Sequence, residues 1–113
     1  MAKKQETLIS EDVQRFLRAR DWFVIKTHGN MYQSGLPDLY AAHSIHGSRW
    51  IELKRPDQHQ FGTRQLEVFA ALASKKVGVW VMTAATDSEY SKLFRPPNIG
   101  VYVNQLLLHV RSN

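Results

Sequence analysis

Two carboxylates and a lysine stand close together in the stretch GLPDLYAAHSIHGSRWIELKRP, which covers residues 35–56. Asp38 follows a proline at the entrance of one apolar run, and Glu52 and Lys54 are two residues apart in the next. Side chains two residues apart on a β-strand share a face and lie about 7 Å apart. If residues 38–54 form an antiparallel hairpin, Asp38 lies opposite or diagonal to the other two. The spacing therefore predicts one cluster of two carboxylates and an ammonium group.

Such a cluster is suited to a specific chemistry. Two carboxylates offer the hard oxygen ligands that Mg²⁺ (or Mn²⁺) takes together with waters and substrate phosphate oxygens. Lys54 would lie beside the water that the cation polarises, where its charge favours hydroxide or stabilises charge developing on phosphorus. This is machinery for phosphodiester hydrolysis. The alternative is that Glu52 and Lys54 are an ordinary pair on the solvent face of an amphipathic strand, and Pro37-Asp38 ahead of them favours the catalytic interpretation.

The elements that must position this cluster follow from hydrophobic spacing and turn signals. A continuous apolar strand directly after a helix predicts a crossover and a mixed sheet flanked by helices. With no repeat or linker in the sequence, we expect a single domain over residues 1–113, with an ordered core of about 6–111. The predicted elements are a helix at 6–20, a strand at 22–27, the hairpin at 38–54, a helix at 62–76, a strand at 77–83, a short helix in DSEYSKL, and strands in NIGVYV and LLLHV.

Alternation along the hairpin predicts which face packs inward. The inner face would carry Leu39, Ala41, Ile51 and Leu53, and the cluster would lie on the outer face. Whether the first helix covers that outer face or leaves it wet is open from the sequence. Aromatic side chains in strand patterns are more typical of a core than of base stacking, which applies to Trp22, Phe23 and Trp80.

Composition narrows the class of protein. The chain has 113 residues, no cysteine, a formal net charge of +5 and a pI near 9.7. Nothing in the sequence resembles a secretory signal or a membrane span, so we expect a soluble, intracellular, cytoplasmic protein. Positive charge favours a polyanionic partner such as nucleic acid, because neutralised phosphates release counterions. Charge of this size also serves solubility alone.

The motifs GLPDLY and WIELKRP resemble those of the PD-(D/E)xK nuclease superfamily, and look most like the virus-type replication-repair nuclease (VRR-NUC) domains. The resemblance implies a restriction-endonuclease-like α/β fold with an α-β-β-β-α-β core. It also implies metal binding by Asp38 and Glu52 with the backbone carbonyl of Leu53, and a catalytic role for Lys54.

Two further site residues are implied by the same resemblance. In the family the helix after the E-x-K strand begins with a glutamine that faces the site, which Gln65 matches, although an exposed glutamine at a helix start would look the same. The first helix of the family carries a glutamate, for which Glu6 and Glu11 are the candidates. Glu6 falls on the apolar stripe beside Val13 and Leu17, and we assign it to the metal site; Asp12 also lies near the edge of that stripe.

Contacts to DNA phosphates are expected from basic and polar residues near the cluster in sequence. No recognition helix stands out, so binding would depend on DNA shape and backbone. A zinc site and a nucleotide phosphate loop are not supported by the spacing of histidines and glycines. The predicted DNA contacts are Arg55, Arg64, Lys75 and Lys76, and the loop residues His28, Asn30, Tyr32 and Gln33.

The sequence thus predicts a Mg²⁺ or Mn²⁺ dependent DNA endonuclease. The resemblance makes branched or junction DNA the expected substrate, and cutting two strands would suit a homodimer. Two alternatives stay open: a noncatalytic nucleic-acid-binding module with the same fold, and a protein-interaction domain whose charge is incidental.

Overall fold

The computed structural model describes residues 5–27, 34–57 and 61–99. The predicted order α-β-β-β-α-β is confirmed, and two short helical segments follow it. The element bounds differ from the predicted ones by one or two residues, as is usual where helices and strands fray. The elements are α1 (Gln5–Arg18), β1 (Phe23–Lys26), β2 (Leu39–His43), β3 (Gly47–Leu53), α2 (Thr63–Ser74), β4 (Val79–Met82), α3 (Asp87–Ser91) and a 3-10 turn (Lys92–Phe94).

The four strands form one mixed sheet in the order β1-β2-β3-β4. The first three are antiparallel neighbours, and β4 lies parallel to β3 after the crossover through α2. Leu39 pairs with Ile51 across the hairpin, which is one of the registers that the alternating pattern allows. That register brings Asp38, just before β2, to the end of β3 where Glu52 lies.

Each face of the sheet carries its own apolar cluster. Val13 and Leu17 of α1 pack in one cluster with Leu39 and Ile51. On the opposite face, Phe69 of α2 packs with strand residues of β4, and Trp50 joins this second cluster. The helix α2 therefore covers the charged face of the sheet, and α1 packs on the inner face.

One of the three aromatic side chains expected in the core lies outside it. Trp22 and Trp80 are buried, but Phe23 is 62% exposed. Phe23 lies on β1, which has β2 as its one strand neighbour among the described residues. Its side chain points to the same face as α2, but α2 packs over β3 and β4. No described residue therefore buries Phe23.

Several predictions fall near or outside the described residues. The strand expected in NIGVYV begins in a turn at 98–99 and otherwise lies outside the described residues, and the strand expected in LLLHV lies wholly outside them. The polar loop at 28–33 also lies outside them. No helix of the described residues is long and apolar enough to cross a membrane.

Candidate active site

Hydrogen bonds from other residues hold both the backbone and the carboxyl group of Asp38 in place. The backbone N–H of Thr27 donates to the carbonyl of Asp38 at 2.9 Å, and the Thr27 hydroxyl donates to the carbonyl of Pro37 at 2.9 Å. The backbone N–H of Leu53 donates to Asp38 Oδ2 at 2.8 Å. The carboxyl group is thereby tied across the hairpin to the residue beside Glu52.

Glu52 is a buried acid on the same face. Glu52 as a whole residue is 1% exposed. Gln65 Nε2 donates to Glu52 Oε2 at 2.7 Å, and Lys54 Nζ lies 3.2 Å from the same oxygen. Both donors lie on the face of the sheet that α2 covers, and both contact the same oxygen, Oε2.

The first turn of α2 carries the residue that connects these groups. Gln65 Oε1 accepts a hydrogen bond from Lys54 Nζ at 3.2 Å and another from the backbone N–H of Gly62 at 3.0 Å. Lys54 Nζ also lies 4.6 Å from the centroid of the Phe61 ring, a cation–π distance. The structure therefore brings Gln65 into contact with both Glu52 and Lys54.

Burial disfavours the ionisation of both carboxyl groups in the metal-free protein, and the charge of Asp38 adds to this at Glu52, whereas a hydrogen bond with Glu52 lowers the pKa of Asp38. Burial, followed by the negative charge of Asp38, raises the pKa of Glu52 to about 8, against the opposing effects of Lys54 and Gln65. Burial also raises the pKa of Asp38, and the charge of Glu6 acts in the same direction. A proton or a cation between the pair would relieve the repulsion.

The donor set fits a hard divalent cation. Glu52 Oε1 is buried and has no hydrogen-bond partner among the described residues when the carboxyl is ionised, which is a costly arrangement unless a proton or cation satisfies it. The same residues contain no group of three or more His, Cys, Asp or Glu side chains spaced to hold a metal. Two carboxylates with a backbone carbonyl and waters are nonetheless a common set for Mg²⁺.

Glu6 lies at the same end of the sheet. It lines a cavity of about 180 Å³ together with Asp38 and Leu53, and its charge acts on Asp38. Glu11, the alternative glutamate, is not among the residues that line this cavity. The cavity is lined by Glu6, Thr7, Ser10, Lys26, Asp38 and Leu53.

The predicted DNA contacts are dispersed. Arg55 follows the site directly and pairs with Asp57 at 3.5 Å, and Arg64 is an exposed residue of the first turn of α2. Lys75 and Lys76 are exposed at the far end of α2, about 16 Å from Gln65 along the helix axis. Lys76 lies near Ser48 and the start of β4, so this end of α2 is not brought to the acidic cluster. His28, Asn30, Tyr32 and Gln33 lie outside the described residues.

Two residues near the site were not found from the sequence. Phe61 contacts the ammonium group of Lys54, and Lys26 lines the cavity beside Asp38. A signal for Lys26 existed, because an antiparallel pairing of β1 with β2 places it opposite Leu39. Placing Lys26 near Asp38 from the sequence would have required the register of β1 with β2, which the sequence pattern did not determine.

Comparisons with known proteins bear on the fold. The sequence shows no significant match to protein-family models or to curated proteins. A solved structure described as a VRR_NUC domain is similar to this chain with a TM-score of 0.67 at 18% sequence identity. The similarity covers 81% of this chain and 96% of that one. The chain therefore has the VRR-NUC-like nuclease fold that its motifs led us to expect.

Proposed function

We propose that this protein is a Mg²⁺ or Mn²⁺ dependent endonuclease that hydrolyses DNA phosphodiester bonds. The observation that carries the proposal is the placement of Asp38 and Glu52 at one end of the sheet, with Lys54 Nζ 3.2 Å from Glu52 Oε2. The VRR-NUC-like fold supports it.

The carboxylates of Asp38 and Glu52 would hold the cation, with the carbonyl of Leu53 as a further oxygen ligand. When bound, the cation supplies polarisation of water and neutralisation of phosphate charge. Glu52 must lose its proton to act as a ligand, which its burial and the charge of Asp38 oppose until a cation is present. Proton release and cation binding are therefore coupled at this residue.

Lys54 is oriented for electrostatic stabilisation. Its ammonium group is held by Glu52 and Gln65 and lies against the ring of Phe61, and its side chain is 12% exposed. A charge fixed in this way does not need to reorganise when negative charge develops on the phosphate oxygens. Gln65 contributes by holding Glu52 and Lys54 in one arrangement.

We also propose branched or junction DNA as the substrate, cut by a pair of chains. The net charge of +5 supports a polyanionic partner. Light scattering of the protein with and without junction DNA tests the pairing. A mass of two chains in either condition is expected, and a single-chain mass in both would contradict it.

Cleavage assays test the proposed activity. Purified parent protein is incubated with junction, flapped and linear DNA with Mg²⁺ or with EDTA, beside Asp38→Asn and Lys54→Ala. We expect Mg²⁺-dependent cutting by the parent and a loss of at least about 100-fold in either variant. Asp87→Asn is the matched control, because that carboxylate is 93% exposed on α3. Folded variants that cut as well as the parent would refute the site, and DNA binding without cleavage would identify a noncatalytic module.

A further inference from the structure

The cavity beside Asp38 contains one basic side chain to which the proposed activity gives no role. Lys26 lies on β1, opposite Leu39 of β2, and lines the cavity with Glu6 and Asp38. Lys26 is exposed, and its side chain makes no hydrogen bond or ion pair with any residue that the structure describes. No described residue therefore holds its ammonium group away from a ligand that enters the cavity.

The two lysines near the acids differ in what they can do. Lys54 lies on the face covered by α2, where Glu52 and Gln65 hold its ammonium group. Its low exposure leaves it little freedom to follow an incoming DNA strand. Lys26 belongs to the other face, which α1 covers, and its side chain can reach the cavity mouth from solvent. The two positive charges therefore approach Asp38 from opposite sides of the sheet.

The residues that line the cavity are suited to binding a phosphate group once a cation is present. Glu6 and Asp38 alone would repel a phosphodiester, since all three groups are negative. A cation on the carboxylates removes part of that repulsion, and Lys26 adds a donor for a phosphate oxygen. The volume of about 180 Å³ corresponds to roughly six waters of liquid, which is room for a phosphate group and the waters of a hydrated cation.

We propose that Lys26 is a phosphate-binding residue, whose ammonium group donates to a nonbridging oxygen of the DNA backbone at the mouth of this cavity. The inference rests on the proposed function and adds a substrate-binding residue to it. The competing role is a screening charge, in which Lys26 only lowers the repulsion between Glu6 and Asp38 and never touches DNA.

Salt dependence of DNA binding separates the two roles. Fluorescence anisotropy with a 20-base-pair duplex is measured in Ca²⁺ in place of Mg²⁺, under conditions where no cutting occurs, between 50 and 200 mM salt. Each phosphate contact contributes about 0.9 to the slope of log affinity against log salt concentration. We expect Lys26→Met to lower that slope by about 0.9 and to weaken binding roughly 3 to 10-fold, and Lys26→Arg to restore both.

Arg15→Met is the matched control. It removes one positive charge from the exposed side of α1, three helical positions from its partner Asp12, and well away from the cavity residues of the first turn. The control should keep the slope of the parent protein. In Mg²⁺, Lys26→Met should raise KM for cleavage by a similar factor, with kcat within about 3-fold of the parent. Thermal unfolding of each variant verifies that it is folded.

The outcomes distinguish this inference from the proposed function. A parent protein that cuts DNA, with a Lys26→Met variant that keeps its salt slope and KM, would overturn the inference and leave the nuclease intact. An altered Mn²⁺ affinity with an unchanged slope would identify a screening charge and also overturn it. A parent that neither binds nor cuts DNA would overturn both.

Discussion

Asp38 and Glu52 place two carboxyl groups together at the end of the sheet, in an arrangement that folding alone does not favour. When ionised, Glu52 has a buried oxygen, Oε1, without a hydrogen-bond partner among the described residues, and burial and the charge of Asp38 raise the pKa of Glu52 to about 8. A buried unpaired acceptor costs free energy of folding. Such strain at a polar cluster is typical of a site shaped for a ligand.

At the residue scale, this cost predicts how the stability of the metal-free protein depends on pH. The pKa of Glu52 lies above its usual value of 4.5 in the folded protein, so the folded chain keeps a proton that the unfolded chain releases between about pH 4.5 and pH 8. Stability is therefore fully present below this window and falls as pH rises through it. Glu52→Gln cannot ionise and should lose this dependence.

Urea unfolding in EDTA at pH 5, 7 and 8.5 measures the effect. Relative to the parent, Glu52→Gln should gain about 1 to 3 kcal/mol between the lowest and highest pH, since one pKa unit corresponds to about 1.4 kcal/mol. Glu67→Gln is the control, because that carboxylate is exposed and 3.4 Å from Arg64. If the difference in unfolding free energy between Glu52→Gln and the parent stays constant with pH, the pKa of Glu52 is not raised in the folded protein.

At the element scale, the site depends on how α2 meets the chain that enters β2. Gly35 has a φ of +85°, and a Cβ there would lie 2.7 Å from the carbonyl oxygen of Arg64 and 2.9 Å from Val68 Cγ2. Two residues before Pro37, the backbone thus packs directly against the first turns of α2. The same turns carry Gln65, so this contact and the Gln65 hydrogen bonds set the position of Asp38 relative to Glu52.

Gly35→Ala should therefore cost more stability than another glycine at positive φ. Gly47 also has a positive φ, +81°, but a Cβ there meets only Arg49 Nη1 at 3.9 Å. We expect about 1 to 2 kcal/mol for Gly47→Ala from backbone strain, and about 2 to 4 kcal/mol for Gly35→Ala because overlap with α2 is added. Denaturant unfolding measures both. Equal losses would mean that α2 does not pack on the entrance to β2.

The hairpin and the order of the elements were accessible from the sequence because they are local. Alternation placed Leu39 and Ile51 on one face and Asp38 and Glu52 on the other, and the structure selects the register in which Leu39 pairs with Ile51. Packing between distant elements was not accessible: the sequence left open whether α1 covers the charged face or leaves it wet, and in the structure α2 covers it instead. The exposure of Phe23 follows from β1 having β2 as its one strand neighbour among the described residues. Proximity in sequence also misplaced Lys75 and Lys76, because α2 carries them to the other end of the sheet.

At the scale of the whole molecule, β1 forms an edge of the sheet among the described residues, and α1 protects part of its backbone. Phe23 and Ile25 are 62% and 48% exposed on this strand. An edge strand with apolar side chains is a template for association with another chain. Arg18 of α1 donates from Nη2 to the carbonyl of Val24 at 3.1 Å, which occupies a hydrogen-bonding group of the strand backbone.

Removing the hydrogen bond from Arg18 to the Val24 carbonyl should promote association of chains through β1. Arg18→Ala leaves the Val24 carbonyl without its donor, so light scattering should show an average mass that rises with concentration beyond that of the parent. Arg15→Ala removes a comparable charge from α1, where it pairs with Asp12, and should behave as the parent does. Identical concentration dependence in Arg18→Ala and Arg15→Ala would show that Arg18 does not protect the edge.

The central claim is that Asp38 and Glu52 together hold a divalent cation, and anomalous diffraction from crystals soaked in Mn²⁺ tests it most directly. We predict an anomalous peak within about 2.5 Å of a carboxylate oxygen of each residue, and its loss in Asp38→Asn crystals treated identically. Well-ordered parent crystals with no peak at these carboxylates, or with the same peak after Asp38→Asn, would contradict the claim.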